Sequence, residues 1–420
     1  MRDRWPRGKK WLKLSSVETI ALEQLRRSTT SRETKQEMEN NLETKGTWLP
    51  YDLLFKVFLL LPAETLCRLR CVCRTLLNMI NSPAFVEAHF RQSETVLITQ
   101  KSFREENIRS PFPLPSDKPN QCYFHFWDIH SGKGHKVCMP NLRNLECVLA
   151  ACNGLVLARI KKNGGLVVVN PSTRNHIRMP LGTIGFAQEC YGFMFSHFTG
   201  AYKVVHLFRD EHRHIRCEIL NLTTRSWHAV DGPNSGEFGS ISTTRRSVSA
   251  VGALYWLPKR DSCNHAVSLG FHDEKFQTVP LPINSTKNDR LVEIGGTLSF
   301  ITHATLNLIQ VWILKDGLRE NWIKRYSINR FYDITGFVPL CASTTEIFFK
   351  RRGNPLLHIY NIEAEEMQEV NVGDVQIYMP HVKSLVSWDS PQVVYLFEHF
   401  EVILPACSVD ELVTMLLRFC

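Results

Sequence analysis

The sequence predicts an α+β multidomain protein, a small helical domain followed by a much larger all-β domain, and three observations carry that reading. Residues 49–90 place aliphatic side chains at helical spacing. From Thr95 onward the chain turns into short β-branched or aromatic runs separated by turn residues. Those runs recur with a period near 45 to 50 residues. The boundaries drawn from these patterns are a basic, disordered tail over 1–46, a helical domain over 47–90, an all-β domain over 91–404, and a short helix or tail over 405–420.

In the helical part, Leu53, Leu54, Val57, Phe58 and Leu61 fall at i, i+1, i+4, i+5 and i+8 of the stretch Asp52 to Leu61, one broad face of a helix. Pro62 ends it. Ala63 to Val72 repeats the spacing with Leu66, Leu69 and Val72, and a third stretch follows with Cys73, Leu76, Leu77 and Ile80. Ser82 before Pro83 supplies an N-cap and a first-turn proline for a short helix carrying Phe85, Val86 and Phe90. A domain this small cannot cover all these leucines by itself. A partner that lays helices on the remaining face gains about 1.5–3 kcal/mol per large aliphatic side chain buried.

The run resembles an F-box. Leu49 and Pro50 open it, Asp52-Leu53-Leu54 and the proline break follow, Val72-Cys73 precede a basic residue, and Ile80 leads to Ser82-Pro83 with Phe85 and His89. The resemblance implies docking on the Skp-type adaptor of cullin-based ubiquitin ligases, through Leu49, Pro50, Leu53, Leu54, Val57, Leu69, Val72 and Cys73. Lys56 stands where that family usually has an acid, and Leu76 where it usually has Trp. Leucine at 76 keeps an apolar contact with less area, which is expected to weaken the docking.

Beyond Phe90, strands are expected at Thr95 to Thr99, Tyr123 to Ile129, Gly165 to Val169, Lys203 to Phe208, Leu254 to Leu257, Thr297 to Ile301, Ile309 to Leu314, Glu346 to Phe349 and Leu356 to Tyr360. Five segments share one design of strand, polar turn and second strand with an aromatic or aliphatic anchor: Val167 to Pro180, Glu218 to Val230, Leu269 to Pro282, Val311 to Ile328 and His358 to Val372. Taking Asn170, Asn221, His272, Lys315 and Asn361 as turn markers, the spacings are 51, 51, 43 and 46. Several strands per unit at that period point to a kelch-like β-propeller, because a ring of twisted four-stranded sheets buries faces that one sheet leaves exposed. About six blades are expected, with seven allowed. Gly154, Gly252 and Gly295-Gly296 precede GLVLA, GALYWL and GGTLSF and read as the openings of innermost strands. Strands near Val382 to Trp388 and Val393 to Phe397 are expected to close the ring on the first blade. Ser408 and Glu411 read as a capping box for a small C-terminal helix.

This second region resembles the F-box-associated domain abundant in plants. The residues that carry the likeness are Cys152-Asn153-Gly154-Leu155, Asn170-Pro171-Ser172-Thr173-Arg174, Tyr191-Gly192-Phe193, Leu220-Asn221-Leu222 with Arg225-Ser226-Trp227, and Gly252 to Leu257. The Asn-Pro-x-Thr-Arg pattern reads as structural: Asn170 and Pro171 make a hairpin turn, and Arg174 satisfies buried carbonyls.

Composition narrows the function classes. With 44% hydrophobic and 22% charged residues in 420, the chain is long enough for two or three domains. Its apolar stretches, such as Val57 to Leu61, are far too short to cross a bilayer. Thirteen cysteines without paired CxxC clusters fit reduced thiols in cytosol or nucleus. The net charge of +9 owes much to the first thirteen residues, where Arg2, Arg4, Arg7, Lys9, Lys10 and Lys13 face only Asp3; elsewhere Lys and Arg alternate with Glu and Asp, and no aromatic-interleaved basic stripe marks a nucleic-acid binder there. There is no glycine-rich phosphate loop, nucleophile elbow or HExxH. His212 and His214, near Asp210 and Cys217, make the best metal-like group and read as an exposed strand or loop.

The expectation is a non-catalytic two-part adaptor with no cofactor or metal. The helical domain binds a Skp-type subunit and, through it, a cullin scaffold, while the propeller holds a target protein for ubiquitination. The rivals are a carbohydrate or small-molecule receptor, a kelch-like enzyme, and an F-box protein acting outside any ligase.

Overall fold

In the computed structural model, which describes residues 51–93, 95–100, 122–128, 133–139, 142, 145–160, 165–184, 189–196, 198–238, 246–258, 262–315, 321–330, 334, 336–351, 354–372 and 377–388, the aliphatic spacing of the N-terminal stretch becomes four helices. They are α1 (Tyr51–Leu59), α2 (Ala63–Leu69), α3 (Arg74–Asn81) and α4 (Pro83–Gln92). Asp52 sits in the first turn of α1, where the helix dipole favours an acid. Ahead of Pro62 the chain tightens, with Leu60 N to Val57 O at 3.1 Å and Leu61 N to Phe58 O at 3.0 Å, and the proline then opens α2. Ser82 serves two helices. Its hydroxyl donates to Met79 O at the end of α3 (2.8 Å) and accepts from Phe85 N at the start of α4 (3.3 Å). His89 on α4 hydrogen-bonds through Nε2 to Leu61 O (3.0 Å), tying α4 to the chain after α1. Phe85 stacks edge-on against Phe55 at 5.0 Å.

The described residues divide into two compact units between Gln92 and Ser93. The second consists of 24 strands in six four-stranded antiparallel sheets. Blade 1 is β24 (Ile377–Val382), β1 (Thr95–Gln100), β2 (Cys122–Asp128) and β3 (Lys133–Met139), in that order outward. Blade 2 is β4 (Leu145–Cys152), β5 (Leu155–Ile160), β6 (Leu166–Asn170) and β7 (Asn175–Met179); blade 3 is β8 (Cys190–Phe195), β9 (Tyr202–Arg209), β10 (Ile215–Asn221) and β11 (Ser226–Val230). Blade 4 is β12 (Val248–Ala250), β13 (Ala253–Trp256), β14 (Cys263–Gly270) and β15 (Phe276–Ser285). Blade 5 is β16 (Arg290–Ile294), β17 (Thr297–Thr305), β18 (Leu308–Leu314) and β19 (Trp322–Asn329). Blade 6 is β20 (Phe337–Ala342), β21 (Glu346–Arg351), β22 (Leu356–Asn361) and β23 (Glu366–Asn371). One helical turn, α5 (Ser235–Phe238), interrupts the link from β11 to β12. The innermost strands β4, β8, β12, β16, β20 and β24 each touch the next and return to β4, so the unit is a closed six-bladed propeller.

Apolar seams between blades form its core. Val156, Val167 and Phe126 fill the seam of blades 1 and 2; Val205, Ile219 and Leu269 that of 3 and 4; Phe300, Val279 and Leu298 that of 4 and 5; Ile301, Val311 and Phe349 that of 5 and 6; Leu97, Phe348 and Leu357 that of 6 and 1. The repeated aromatic anchor is a latch on the rim. Trp227 Nε1 of β11 donates to Pro180 O beyond β7 (3.0 Å), and Trp322 Nε1 of β19 donates to Pro280 O of β15 (2.7 Å), each stapling an outer strand to the blade before it.

The turn markers work through their amide side chains. Asn170 Oδ1 accepts from Ser172 N and Thr173 N, Asn221 Oδ1 from Thr223 N and Thr224 N, and Asn361 Oδ1 from Glu363 N and Ala364 N. Four residues on, Arg174, Arg225 and Glu365 take positive φ of 60°, 56° and 53° to return the chain.

Four expectations need correction. Gly154, Gly252 and Gly295-Gly296 open the second strands β5, β13 and β17, not the innermost ones; they sit in two-residue hairpin turns whose residues all have positive φ (Asn153 49°, Gly154 74°, Val251 48°, Gly252 69°, Gly295 57°, Gly296 83°). The closing strand is Ile377–Val382, paired with β1 from Thr95↔Val382 to Gln100↔Ile377, and residues 383–388 that follow are not a strand. The buried carbonyls near the Asn-Pro-x-Thr-Arg turn are met by Asn170 rather than Arg174, which is exposed: Asn170 Nδ2 donates to Ser384 O (3.0 Å) and Val386 O (2.8 Å). Leu76, expected at the docking surface, is buried in the helical unit, because α3 turns it inward with Met79 and Ile80. The expected tail over 1–46, the strand at Val393 to Phe397 and the helix after Ser408 lie outside the described residues.

Candidate interaction surfaces

The helical unit spends much of its aliphatic stripe on itself. Leu54, Val57 and Leu69, all expected to meet a partner, are buried with Phe58, Leu66 and Ile80. Leu53 and Val72 are half-buried and Cys73 is exposed, while Leu49 and Pro50 lie outside the described residues. Two leucines the sequence reading did not single out for docking face solvent, Leu60 just past α1 (36% exposed) and Leu77 on α3 (37%). The apolar surface on offer is therefore Leu53, Leu60, Val72 and Leu77, with the Cys73 thiol and Lys56 beside it. Position within the stripe separates the two sets: Leu53 and Leu60, seven residues apart, mark one edge of the apolar face, and Leu54, Val57 and Leu61 lie on the adjacent, inward side of it.

The propeller has two unlike ends. One carries the turns from first to second and from third to fourth strand, mostly two to five residues long, such as Asn153-Gly154 and Leu222 to Arg225. The chain enters the ring on this side at Thr95, whose partner Val382 ends the closing strand. The other end carries the links between blades and between middle strands, among them 180–189, 210–214, 231–247 and 286–289. Ile184 (82% exposed) and Leu306 (70%) stand on this wide-loop end.

At the same end lies a charged network in the seam of blades 2 and 3. His206 of β9 is buried with both ring nitrogens against carboxylates: Nδ1 to Glu218 Oε1 at 2.8 Å and Nε2 to Glu189 Oε2 at 3.0 Å. Arg159 of β5 in blade 2 pairs with the other oxygen of Glu189 and lies 5.3 Å from the Tyr191 ring centre. Tyr191 stacks flat on His206, with ring centres 4.3 Å apart and planes 5° off parallel. Glu218 also receives Thr183 N (2.7 Å) and Thr183 Oγ1 (2.9 Å) from the link between the blades. Hydrogen bonds from His206 and then Arg159 hold the Glu189 carboxyl down at about 2, against the opposing effect of burial. Burial alone pushes His206 toward its neutral form, yet the two carboxylates outweigh it and its pKa is raised. Sequence reasoning missed this network, since its members lie on five separate segments with no shared spacing.

His212 and His214 lie at the exposed turn joining β9 to β10, where Asp210 is occupied by His214 N (2.8 Å) and Arg216 Nε (2.8 Å). Among the described residues no group of three or more His, Cys, Asp and Glu is placed to hold a metal ion. Among the same residues no helix is long and apolar enough to cross a membrane.

Comparison with known families matches residues 102–397 to the model described as the F-box associated beta propeller domain. The chain belongs to that family. The F-box domain model matches residues 47–87, over the helical unit. Relatives include F-box protein At3g07870 of Arabidopsis thaliana, 26% identical over 319 residues covering 67% of this chain and 73% of that protein. F-box/LRR-repeat protein At2g43260 of the same plant is 22% identical over 369 residues, covering 80% and 81%, and F-box/kelch-repeat protein At3g23880 is 23% identical over 297 residues, covering 67% and 79%. This is thus a plant-type F-box protein: an F-box of four described helices, then a six-bladed F-box-associated propeller.

Proposed function

We propose that this chain is the substrate-recognition subunit of an SCF-type (Skp–cullin–F-box) ubiquitin ligase. The F-box docks on a Skp-type adaptor and, through it, a cullin; the propeller holds a target protein. One observation carries the reading: the helical unit completes its own core and still leaves Leu53, Leu60, Val72 and Leu77 with apolar surface toward solvent. Each is available to a helical partner at up to about 1.5–3 kcal/mol when fully covered. The chain itself supplies no acid, base or nucleophile, and acts by holding the target near the transfer site. Its place is the cytosol or the nucleus. The wide-loop end, with Ile184 and Leu306, is the surface for the target.

The test is co-purification of the adaptor with the full chain. Leu53→Asp with Leu77→Asp removes adaptor binding while the propeller's melting is unchanged. Val57→Asp is unsuited, because Val57 is buried and its loss would unfold the module. Undiminished adaptor capture by the double variant would sink the reading.

A further inference from the structure

Among the described residues, the seam of blades 2 and 3 differs from the other five in placing a buried histidine between two carboxylates. The geometry fixes its protonation. A neutral imidazole has one donor and one acceptor nitrogen, so one of the two carboxylates beside His206 would face a ring lone pair at hydrogen-bond distance. Only the imidazolium donates to both. The groups around it are Glu189 before β8, Tyr191 on β8, Glu218 on β10 and Arg159 on β5 of the neighbouring blade, with Phe208 and Trp227 completing the wall. Two carboxylates, one guanidinium and one imidazolium sum to zero charge; loss of the His206 proton leaves the seam with a net negative charge and one unmatched contact.

The consequence reaches the wide-loop end. The link leaving β7 is held by Trp227 at Pro180 O, by Glu218 at Thr183, and by His206 and Arg159 at Glu189. Ile184 protrudes next to the Thr183 anchor. We propose that His206 is a proton-operated clamp: protonated, it locks the Pro180–Thr183 link and blade 2 to blade 3; deprotonated, it releases Glu189 or Glu218 and loosens the segment that presents Ile184.

The sign follows from the direction of the shift. A raised folded pKa gives a contribution that is complete below the ordinary histidine value of about 6.5 and is lost as pH rises through the folded value. The experiment is a thermal melt of the full chain from pH 5.5 to 9, with His206→Gln and Glu189→Gln beside the wild type, and hydrogen exchange at the Thr183 amide over the same range. Wild type is expected to lose on the order of 2–4 °C relative to His206→Gln across the alkaline half of the window, with faster Thr183 exchange. Glu189→Gln should flatten the profile, since its amide donates to a neutral ring. Parallel profiles for wild type and His206→Gln would overturn the clamp. If both variants fail to fold, the wild-type Thr183 exchange decides: a protection unchanged between pH 6 and 9, after correction for intrinsic rates, overturns it.

Discussion

Asn170→Ala tests how the ring is held shut. One buried side chain makes four hydrogen bonds: Nδ2 to Ser384 O and Val386 O, and Oδ1 from Ser172 N and Thr173 N. Alanine leaves two carbonyls and two amides without these partners at a largely buried turn. At roughly 0.5–1.5 kcal/mol net per hydrogen bond, the loss is about 2–6 kcal/mol, which lowers the melting midpoint by roughly 5–20 °C. Asn221→Ala is the control, because Asn221 makes the same turn hydrogen bonds on an exposed loop and, among the described residues, its amide nitrogen has no such carbonyl pair; it should cost about 1–2 kcal/mol. Asn170→Asp keeps the turn and turns two donor contacts into oxygen against oxygen, so it should melt at least as low as alanine near neutral pH. Differential scanning calorimetry of the full chain reads all three. An Asn170→Ala midpoint within 2 °C of Asn221→Ala would show that the latch adds nothing to closure.

Two further outcomes follow from the same physics. Gly154→Ala should destabilise far more than Gly252→Ala: both have positive φ, but a Cβ at 154 would stand 2.1 Å from Ser384 Oγ and 2.6 Å from Val382 O, whereas one at 252 meets open space and costs about 1 kcal/mol; paired urea titrations compare them. Asp289 is buried, accepting from Thr286 N, Thr302 Oγ1, His303 N and His303 Nδ1, and although burial opposes it, the hydrogen bonds from His303 and Thr286 lower its pKa. Its contribution is present above the ordinary value of about 3.9 and lost as pH falls through the lower folded value, so Asp289→Asn should be less stable at neutral pH and show a shallower acid transition by circular dichroism.

The sequence carried the elements that obey local rules. Pro62 and Ser82-Pro83 punctuate the helices because ring geometry and capping act within one turn, and strands such as Thr95–Gln100 and Leu356–Asn361 fall where β-branched runs placed them. Asn170, Asn221 and Asn361 marked turns correctly since an amide two residues from its partner needs no tertiary context. What periodicity cannot say is which half of an aliphatic stripe is consumed internally. Leu54, Val57 and Leu69 looked as available as Leu53, and packing alone separates them. Nor could it match His206 with Glu189 and Glu218, because the strands bringing them together are paired by register rather than by spacing. The glycine turns were displaced by one strand for a similar reason: GLVLA and GALYWL read as self-contained strands, and the inner partner of GALYWL, Val248–Ala250, is only three residues long and leaves little trace.

The strand that completes the first sheet comes from the far side of the domain, and this orders events during synthesis. A ribosome that has made residues through 372 has produced five whole sheets and three strands of the sixth, yet the arc they form has two bare ends, and blade 1 lacks its axial strand. The nascent domain must therefore wait, with Val96, Ile98 and Phe126 short of their partner Met379, until the segment ending near Val386 leaves the exit tunnel. A stop before Ile377 thus leaves the ring open although 23 of the 24 strands have been made, and chaperones have that interval in which to act.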